Sequence, residues 1–367
     1  MKILHIINKL STGGAQSLVV EMAIEQTKNG DDVSILELMP SPNNILKEKV
    51  INVGVPVHTL RPIGNVYNPF IIFYIIPYLK SRYDVVHVHL FPAQYWVAFA
   101  KILSFTKVHI VTTEHNTNNK RRNNKFWKCI DNIVYGCYDK IIACADKPLE
   151  LFKKIYPKFD SCAIPNGVDI SKYRDAKPYS KSDFNMAEND FMVTMVARFD
   201  YPKRQDTVIE AVARLPKKFH AVFVGGIPEK ANAIRCVNLA KSLGISDRVH
   251  FLYTRSDVPR ILKTSDAVVM SSEYEGLSLS SIEGMASGNP FISSNVNGLK
   301  EVVAGAGLMF ECGNADELAH ILLKLESDEV FYNQTVRNCW ERAAQYDIKV
   351  CVSKYKSIYN ECTNYGS

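Results

Sequence analysis

Little in this chain marks a secreted, membrane-spanning or metal-dependent protein. Its nine cysteines are an odd number, with no Cys-x-x-Cys pair and no zinc-like spacing to histidine. That excludes a disulfide framework and a structural zinc site, and fits reduced thiols in a cytoplasm. There is no Asp-x-Asp, no His-Glu-x-x-His and no carboxylate-rich cluster to hold a metal; Gly-x-Ser-x-Gly and Gly-x-Gly-x-x-Gly are missing as well. The last absence weakens a dehydrogenase reading of the first domain. The N-terminus "MKILHIINKL" carries no long apolar run and no small-residue cleavage site, so no signal peptide is expected. The most lipid-like stretch, "PFIIFYIIPYL" (69–79), is about half the length a bilayer span needs and holds two prolines. It reads as a buried helix. The net charge of +6 suits an anionic ligand or membrane surface but is too small and too dispersed to indicate nucleic acid.

What is present is ordinary globular composition, 47% hydrophobic and 22% charged, over 367 residues. Two domains are the natural expectation for that length. "KILHII", "DVSILEL", "VPVHTL", "DVVHVHL", "VHIVTTEH" and "KIIACA" read as strands, most of them separated by helical stretches. After "STGG", Leu18, Val19, Met22 and Ala23 share one helical face, and that helix should stop at Gly30. A polar, turn-rich stretch (166–190) interrupts the rhythm and reads as a linker or long loop. A second series then runs through "FMVTMVARF", "HAVFVGG", "VHFLY", "AVVMSS", "PFISS" and "GLMFE". Apolar strands alternating with helices give parallel sheets covered on both faces, hence two tandem doubly wound α/β domains.

Ligands of such sheets sit beyond the carboxyl ends of the strands. There the second series places Arg198, Lys203, Gly225 and the segment "SSEYEGLSLSSIEGMASGNP" (271–290). A helix starting near Ser278–Ser280 would offer unpaired N–H groups to a phosphate, and Gly276 would let backbone approach a ligand. Glu275 and Glu283 then lie too far apart to pair. They either grip different parts of an elongated ligand or are a turn residue and a surface helix residue. Arg198 and Lys203 either neutralise a diphosphate or are solvated surface charge, and the residues alone do not separate Lys203 from Arg204. In the first series the glycine pair Gly13 and Gly14 opens a turn. At least one of His87 and His89 is expected to be a core residue, whereas His115, beside Glu114 and Asn116 at a strand exit, is the better candidate for substrate contact.

Together and in order, "GGAQ" (13–16), "DVVHVH" (84–89), "TTEHN" (112–116), "IPNGVD" (164–169), "VARFDYPKRQDTVIEA" (196–211), "FVGG" (223–226), the segment 255–293 with its Glu-x7-Glu spacing, and "NGLKEVV" (297–303) resemble the family-4 glycosyltransferases. These are retaining, nucleotide-sugar-dependent enzymes of the GT-B fold, two Rossmann-like domains facing across a cleft. The resemblance implies an acceptor-binding domain at 1–170, a nucleotide-sugar-binding domain at 171–345 and a C-terminal helix at 346–367 packing back toward the first. It implies that Arg198 and Lys203 hold the donor diphosphate. Glu275, with Gly276, Leu277 and Ser278, would contact the donor sugar and diphosphate, and Glu283 the ribose. Gly14, beside Gly13, would approach the diphosphate from the N-domain, and His115 and Asn116 would lie by the sugar and acceptor. Gln16 stands where an acidic residue is common and bears on acceptor contacts; Ile227 follows Gly225 and Gly226 where a further glycine is usual and bears on the base pocket; Asn297 replaces a frequent glycine.

The expected activity is metal-independent transfer of a hexose-type sugar from a UDP- or GDP-linked donor, as co-substrate with no cofactor, to a glycan acceptor, lipid-linked in bacterial capsule or lipopolysaccharide synthesis. A GT-B epimerase or hydrolase, or a nucleotide-sugar-binding subunit without catalysis, are the alternatives. The basic, aromatic stretch 118–140, with Lys120, Arg121, Arg122, Lys125 and Lys128 beside Phe126 and Trp127, either lies on anionic lipid or is a solvated loop leading into a helix. The expected location is the cytoplasm, with the inner face of the plasma membrane as the place of contact. No nucleic-acid partner is expected.

Overall fold

The computed structural model describes every residue except 12, 42–44, 61–63, 115–124, 276–277 and 365–367, together with the backbone but not the side chain of Lys125. Thirteen strands form two sheets. The first holds β1 (Lys2–Ile7), β2 (Asp32–Glu37), β3 (Val57–Thr59), β4 (Val85–His89), β5 (His109–Glu114), β6 (Lys140–Ala143) and β7 (Ser161–Ala163), in the order β3-β2-β1-β4-β5-β6-β7. The second holds β8 (Phe191–Val196), β9 (Phe219–Val224), β10 (Val249–Tyr253), β11 (Ala267–Met270), β12 (Phe291–Ser294) and β13 (Leu308–Phe310), in the order β10-β9-β8-β11-β12-β13. All pairings between these strands are parallel. Both are doubly wound α/β sheets, as the sequence pattern predicts.

The chain divides into two compact units, Met1–Gly167 with Ile348–Ser367, and Val168–Asp347. In the first, the strand period of two sorts β1 onto two cores. Ile3 and Ile7 pack with the helix Gly14–Lys28 and the C-terminal helix Ile348–Asn364, while Leu4 and Ile6 pack with the helices Ile71–Leu79 and Ala93–Ser104. In the second unit, Phe191, Val193 and Met195 of β8 face one core and Met192 the other. The polar stretch 166–190 is packed onto this second unit from Val168 onward. It carries the helix Ser171–Arg174 and a 3-10 turn Lys181–Phe184, started by a Ser180–Asp183 capping box, and it sets Phe184 and Met186 against Met192 and Val222.

One expectation is corrected. The helix Ile71–Leu79 is not a buried helix: it buries only Ile71, Ile75 and Leu79, leaving Phe73 and Tyr74 exposed, with Phe70 just before it also exposed. The sheet covers one stripe of a helix, so apolar residues on its other faces stay outside. Among the described residues no helix is long and apolar enough to cross a membrane. The nine cysteines are free thiols; burial pushes Cys144 and Cys339 up to about 11 and Cys236 and Cys351 up to about 12, keeping them protonated.

Candidate active site

In the second sheet the strand order reverses between the neighbours β8 and β11, the place at the strand ends where ligands of such sheets bind. Beyond β8 come Ala197, Arg198, buried Phe199 and Asp200, then a turn Tyr201–Lys203 leading into the helix Gln205–Ala213. Arg204, which joins turn to helix, is left-handed at φ 53°, a conformation that costs a non-glycine residue roughly 1–2 kcal/mol. Beyond β11 come buried Ser271 and Ser272, then Glu273, Tyr274 and Glu275, and the helix Leu279–Ala286 begins after Ser278.

The two loops are stitched together. The Ser271 hydroxyl lies 3.0 Å from the carbonyl of Lys203 and 2.7 Å from that of Arg204, and the Glu273 N–H donates to the Pro202 carbonyl at 2.8 Å. Arg204 spans Asp206 and Glu273, both at 3.1 Å. These contacts satisfy polar groups the loops would otherwise bury unpaired, and the ion pairs offset the cost of the left-handed residue. They also turn Arg204 away from its neighbour. Lys203 instead places its Nζ 2.5 Å from Glu275 Oε1, which also accepts from the Ser272 hydroxyl at 2.9 Å. Both side chains are largely shielded, 20% and 13% exposed. Arg198 differs: Gln205 Nε2 holds its carbonyl at 2.9 Å, but its side chain is 78% exposed and meets Asp200 at 3.3 Å.

Gly225 and Gly226, after β9, have φ of 115° and 72°. A Cβ on Gly225 would lie 2.7 Å from the Ala197 carbonyl oxygen, so glycine here lets this loop lie against the backbone that carries Arg198. Ile227 follows, exposed. The Ser278 side chain makes no capping bond at the N-terminus of the helix Leu279–Ala286, and its first turn has no acidic residue. Half-buried Glu283 sits in that helix, whereas Glu275 precedes it, so the two carboxylates belong to different segments. Gly276 and Leu277 lie outside the described residues, as do His115 and Asn116.

In the first unit Gly13 and Gly14 open the helix Gly14–Lys28, and the Gln16 side chain folds back against Gly13. His87 and His89 are both buried, and a third histidine, His5, joins them. Sequence reading passed over His5 as one residue of a strand; the signal is the β1–β4 register, which pairs His5 with His87. One ring nitrogen from each of the three lies within 4.8 Å of those of the other two. His5 Nε2 meets Gln26 Oε1 at 2.7 Å and Nδ1 meets His89 Nε2 at 3.1 Å, while His87 meets Tyr359 at 2.7 Å and Thr113 at 2.8 Å. Burial pushes His5 down to about 4, against the hydrogen bond it donates to Gln26 Oε1, which pulls the other way. Two buried carboxylates were also missed. Glu114 accepts from Tyr135 at 2.7 Å and Gln94 at 3.2 Å, and Asp131 accepts from Tyr156 at 2.5 Å and from Tyr95. Nothing in their local sequence distinguishes them from surface acids.

Two family models divide the chain. Residues 12–172 match Glycosyltransferase Family 4 and residues 177–345 match Glycosyl transferases group 1. The chain is a glycosyltransferase of the GT-B fold. Among curated relatives, the glycosyltransferase is 27% identical over 300 residues to an Escherichia coli UDP-Gal:alpha-D-GlcNAc-diphosphoundecaprenol alpha-1,3-galactosyltransferase, covering 76% of each chain. It is 28% identical over 296 residues to the Bacillus anthracis N-acetyl-alpha-D-glucosaminyl L-malate synthase, covering 76% of this chain and 75% of that one. Its fold is that of Anabaena HepE, crystallised with UDP and glucose, at a TM-score of 0.81 and 21% identity over 98% of this chain and 100% of that chain. A Rickettsia africae glycosyltransferase gives a TM-score of 0.83 at 20% identity, over 98% of each chain.

Proposed function

We propose that this glycosyltransferase moves a hexose-type sugar from a UDP- or GDP-linked donor to a lipid-linked glycan acceptor, with retention and without a metal or other cofactor, in bacterial surface polysaccharide synthesis on the cytoplasmic side of the membrane. The observation that carries the proposal is the constellation at the ends of β8 and β11: an exposed Arg198 on a fixed backbone, the shielded pair Lys203–Glu275, and the uncapped start of the helix after Ser278. The curated relatives, whose names include a diphosphoundecaprenol-dependent galactosyltransferase and an O-antigen enzyme, support the acceptor class.

The chemistry follows from charge. A departing nucleoside diphosphate gains negative charge in the transition state, and preorganised cations and N–H groups that meet it lower the barrier. In this reading Arg198 and Lys203 take the phosphates, with the helix N-terminus between them. A phosphate drawing Lys203 toward itself loosens the Lys203–Glu275 pair, and Glu275 turns to the donor sugar. Glu283 accepts from the ribose hydroxyls, and Gly276, Leu277 and Gly225 bring backbone close to the donor. Gly14, beside Gly13, approaches the diphosphate from the N-domain, and Gln16, His115 and Asn116 serve the acceptor and sugar side.

The test is a transfer assay with UDP- and GDP-sugars, a polyprenyl-diphosphate-linked acceptor and excess chelator, with the anomer of the product read by NMR. Nucleotide release that needs acceptor, continues under chelator and keeps the donor's anomeric configuration is expected. Release without acceptor would make the chain a hydrolase or epimerase. Donor binding with no release would make it a binding subunit. Inversion, or activity restored only by added magnesium or manganese, would overturn the proposed chemistry.

A further inference from the structure

Arg198 carries an exposed side chain on a backbone that is held from three sides. The next residue, Phe199, is buried, and its ring lies against those of Phe223, Phe251 and Tyr253. From β9, the glycine loop comes so close that a Cβ on Gly226 would lie 3.0 Å from the Phe199 nitrogen and 3.6 Å from Arg198 Cα. The third side is Gln205, the first residue of the helix Gln205–Ala213 and only 1% exposed. A glutamine at a helix start normally faces water. This one turns its amide back: Nε2 donates to the Arg198 carbonyl at 2.9 Å, and Oε1 accepts from Asn232 Nδ2 at 3.0 Å. A carbonyl can only accept, so this orientation of the amide is the one required. The Asp200 N–H donates to the same carbonyl at 2.8 Å, so two donors fix one oxygen. Asn232 belongs to the helix Ala231–Ser242, which follows the glycine loop, and Arg235 of that helix meets Asp206, the neighbour of Gln205, at 3.0 Å. Gln205 therefore ties the exit of β8 to the helix that follows β9.

We propose that Gln205 is a positioning residue for sugar transfer, acting through Arg198, with Asn232 as its outer support. The proposal rests on the reading of Arg198 as the cation that meets the departing diphosphate. The side chain of Arg198 is not fixed by its ion pair with Asp200, which is an exposed contact at 3.3 Å that water screens. Its place is therefore set from below, by the backbone that carries it. A guanidinium lowers the barrier only where it already stands when charge develops, and a displacement of about 1 Å can cost about 10² in rate. Without the Gln205 amide, the Arg198 carbonyl keeps one donor of two and the Asn232 amide loses its acceptor. The strand-end loop then gains freedom at the residue that carries the charge. Gln205 itself, shielded from solvent, is out of reach of a ligand.

The test is a double-mutant cycle on the full chain, read by the transfer assay and by melting temperature. Gln205→Met keeps the length and burial of the side chain without its hydrogen bonds. It should lower kcat about tenfold with the donor KM nearly unchanged, because the misplaced cation is missed mainly when charge develops. In an Arg198→Ala background the same change should cost nothing further, since residues that act as a unit are not additive. Asn232→Ala, at a half-buried position, removes the outer support alone and should give a smaller loss that also vanishes with Arg198. Equal losses with and without Arg198 overturn the proposal, as does full activity in a folded Gln205→Met variant. If Gln205→Met does not fold, Asn232→Ala decides by the same comparison. The outcome also separates the two readings. Additive losses beside a large effect of Arg198→Ala overturn the positioning role alone, whereas unchanged turnover in Arg198→Ala overturns the phosphate role of Arg198 and this proposal with it.

Discussion

The two sheets reverse strand order in the same way, between β1 and β4 in one unit and between β8 and β11 in the other, yet they treat polar side chains oppositely there. Beyond β8 and β11 the charges stand in loops, half-shielded and paired across them, with Arg198 carried into solvent. On β1 and β4 the polar groups are inside the strands: His5, His87 and His89 have no exposed surface and meet Gln26, Tyr359 and Thr113 instead of water. The difference is one of solvation. A charge in a strand-end loop can be offered to a ligand, whereas a polar group within a doubly covered strand must be paired by its own protein. In the first unit His87 ties its strand to the C-terminal helix through Tyr359; in the second the Arg198 side chain stands exposed at a strand end.

The largest effect should come from Arg198. Arg198→Ala is expected to lower turnover by about 10²–10³, the scale of removing one preorganised charge-stabilising donor, with Arg198→Lys recovering part of it. Thermal unfolding should not change, because the side chain is exposed. A variant that lost stability and activity together would place Arg198 with the structural polar groups and erase the contrast between the sheets.

His5 tests the other side. Unfolded, it takes a proton near 6.5, while burial holds it down to about 4 in the fold. Between those values the unfolded chain binds the proton and the fold does not. The stabilisation is therefore fully present above about 6.5 and falls away as pH drops toward 4, by roughly 3 kcal/mol. His5→Asn should flatten this part of the stability–pH curve, measured by denaturant unfolding between pH 7.5 and 4.5. An equal slope in both proteins would show that the imidazole network is not what acid attacks.

A smaller effect is expected at Glu283. Glu283→Ala should weaken free nucleoside diphosphate binding by roughly 1.5–3 kcal/mol, the worth of a charged hydrogen bond, as read by calorimetry, and leave melting nearly unchanged without ligand. Normal affinity would remove Glu283 from the ribose. The smallest effect belongs to an ion pair away from either strand reversal. Lys218→Ala, which breaks an exposed pair with Glu326, should shift stability by about 1 kcal/mol or less. A larger loss would mean that charge placement matters throughout the second unit and not only at β8 and β11.

Sequence by itself determined the two doubly wound sheets, because β-branched runs separated by helices have one low-energy arrangement when both faces must be buried. It located all six strands of the second sheet, but missed β7, whose three residues Ser161–Ala163 carry no such run. It also placed Arg198, Lys203 and Glu275 at strand ends, since that follows from chain order alone. Three things waited for tertiary structure. Lys203 and not Arg204 meets Glu275 because a left-handed Arg204 is turned toward Asp206 and Glu273. His5 joins His87 because inter-strand register sets which residues oppose each other across 82 positions of chain. The helix Ile71–Leu79 shows its aromatic face because the sheet, and not the helix's own composition, decides which stripe is covered. Local pattern fixes what each segment is; which side chains meet is set by long-range packing, to which a one-dimensional pattern is blind.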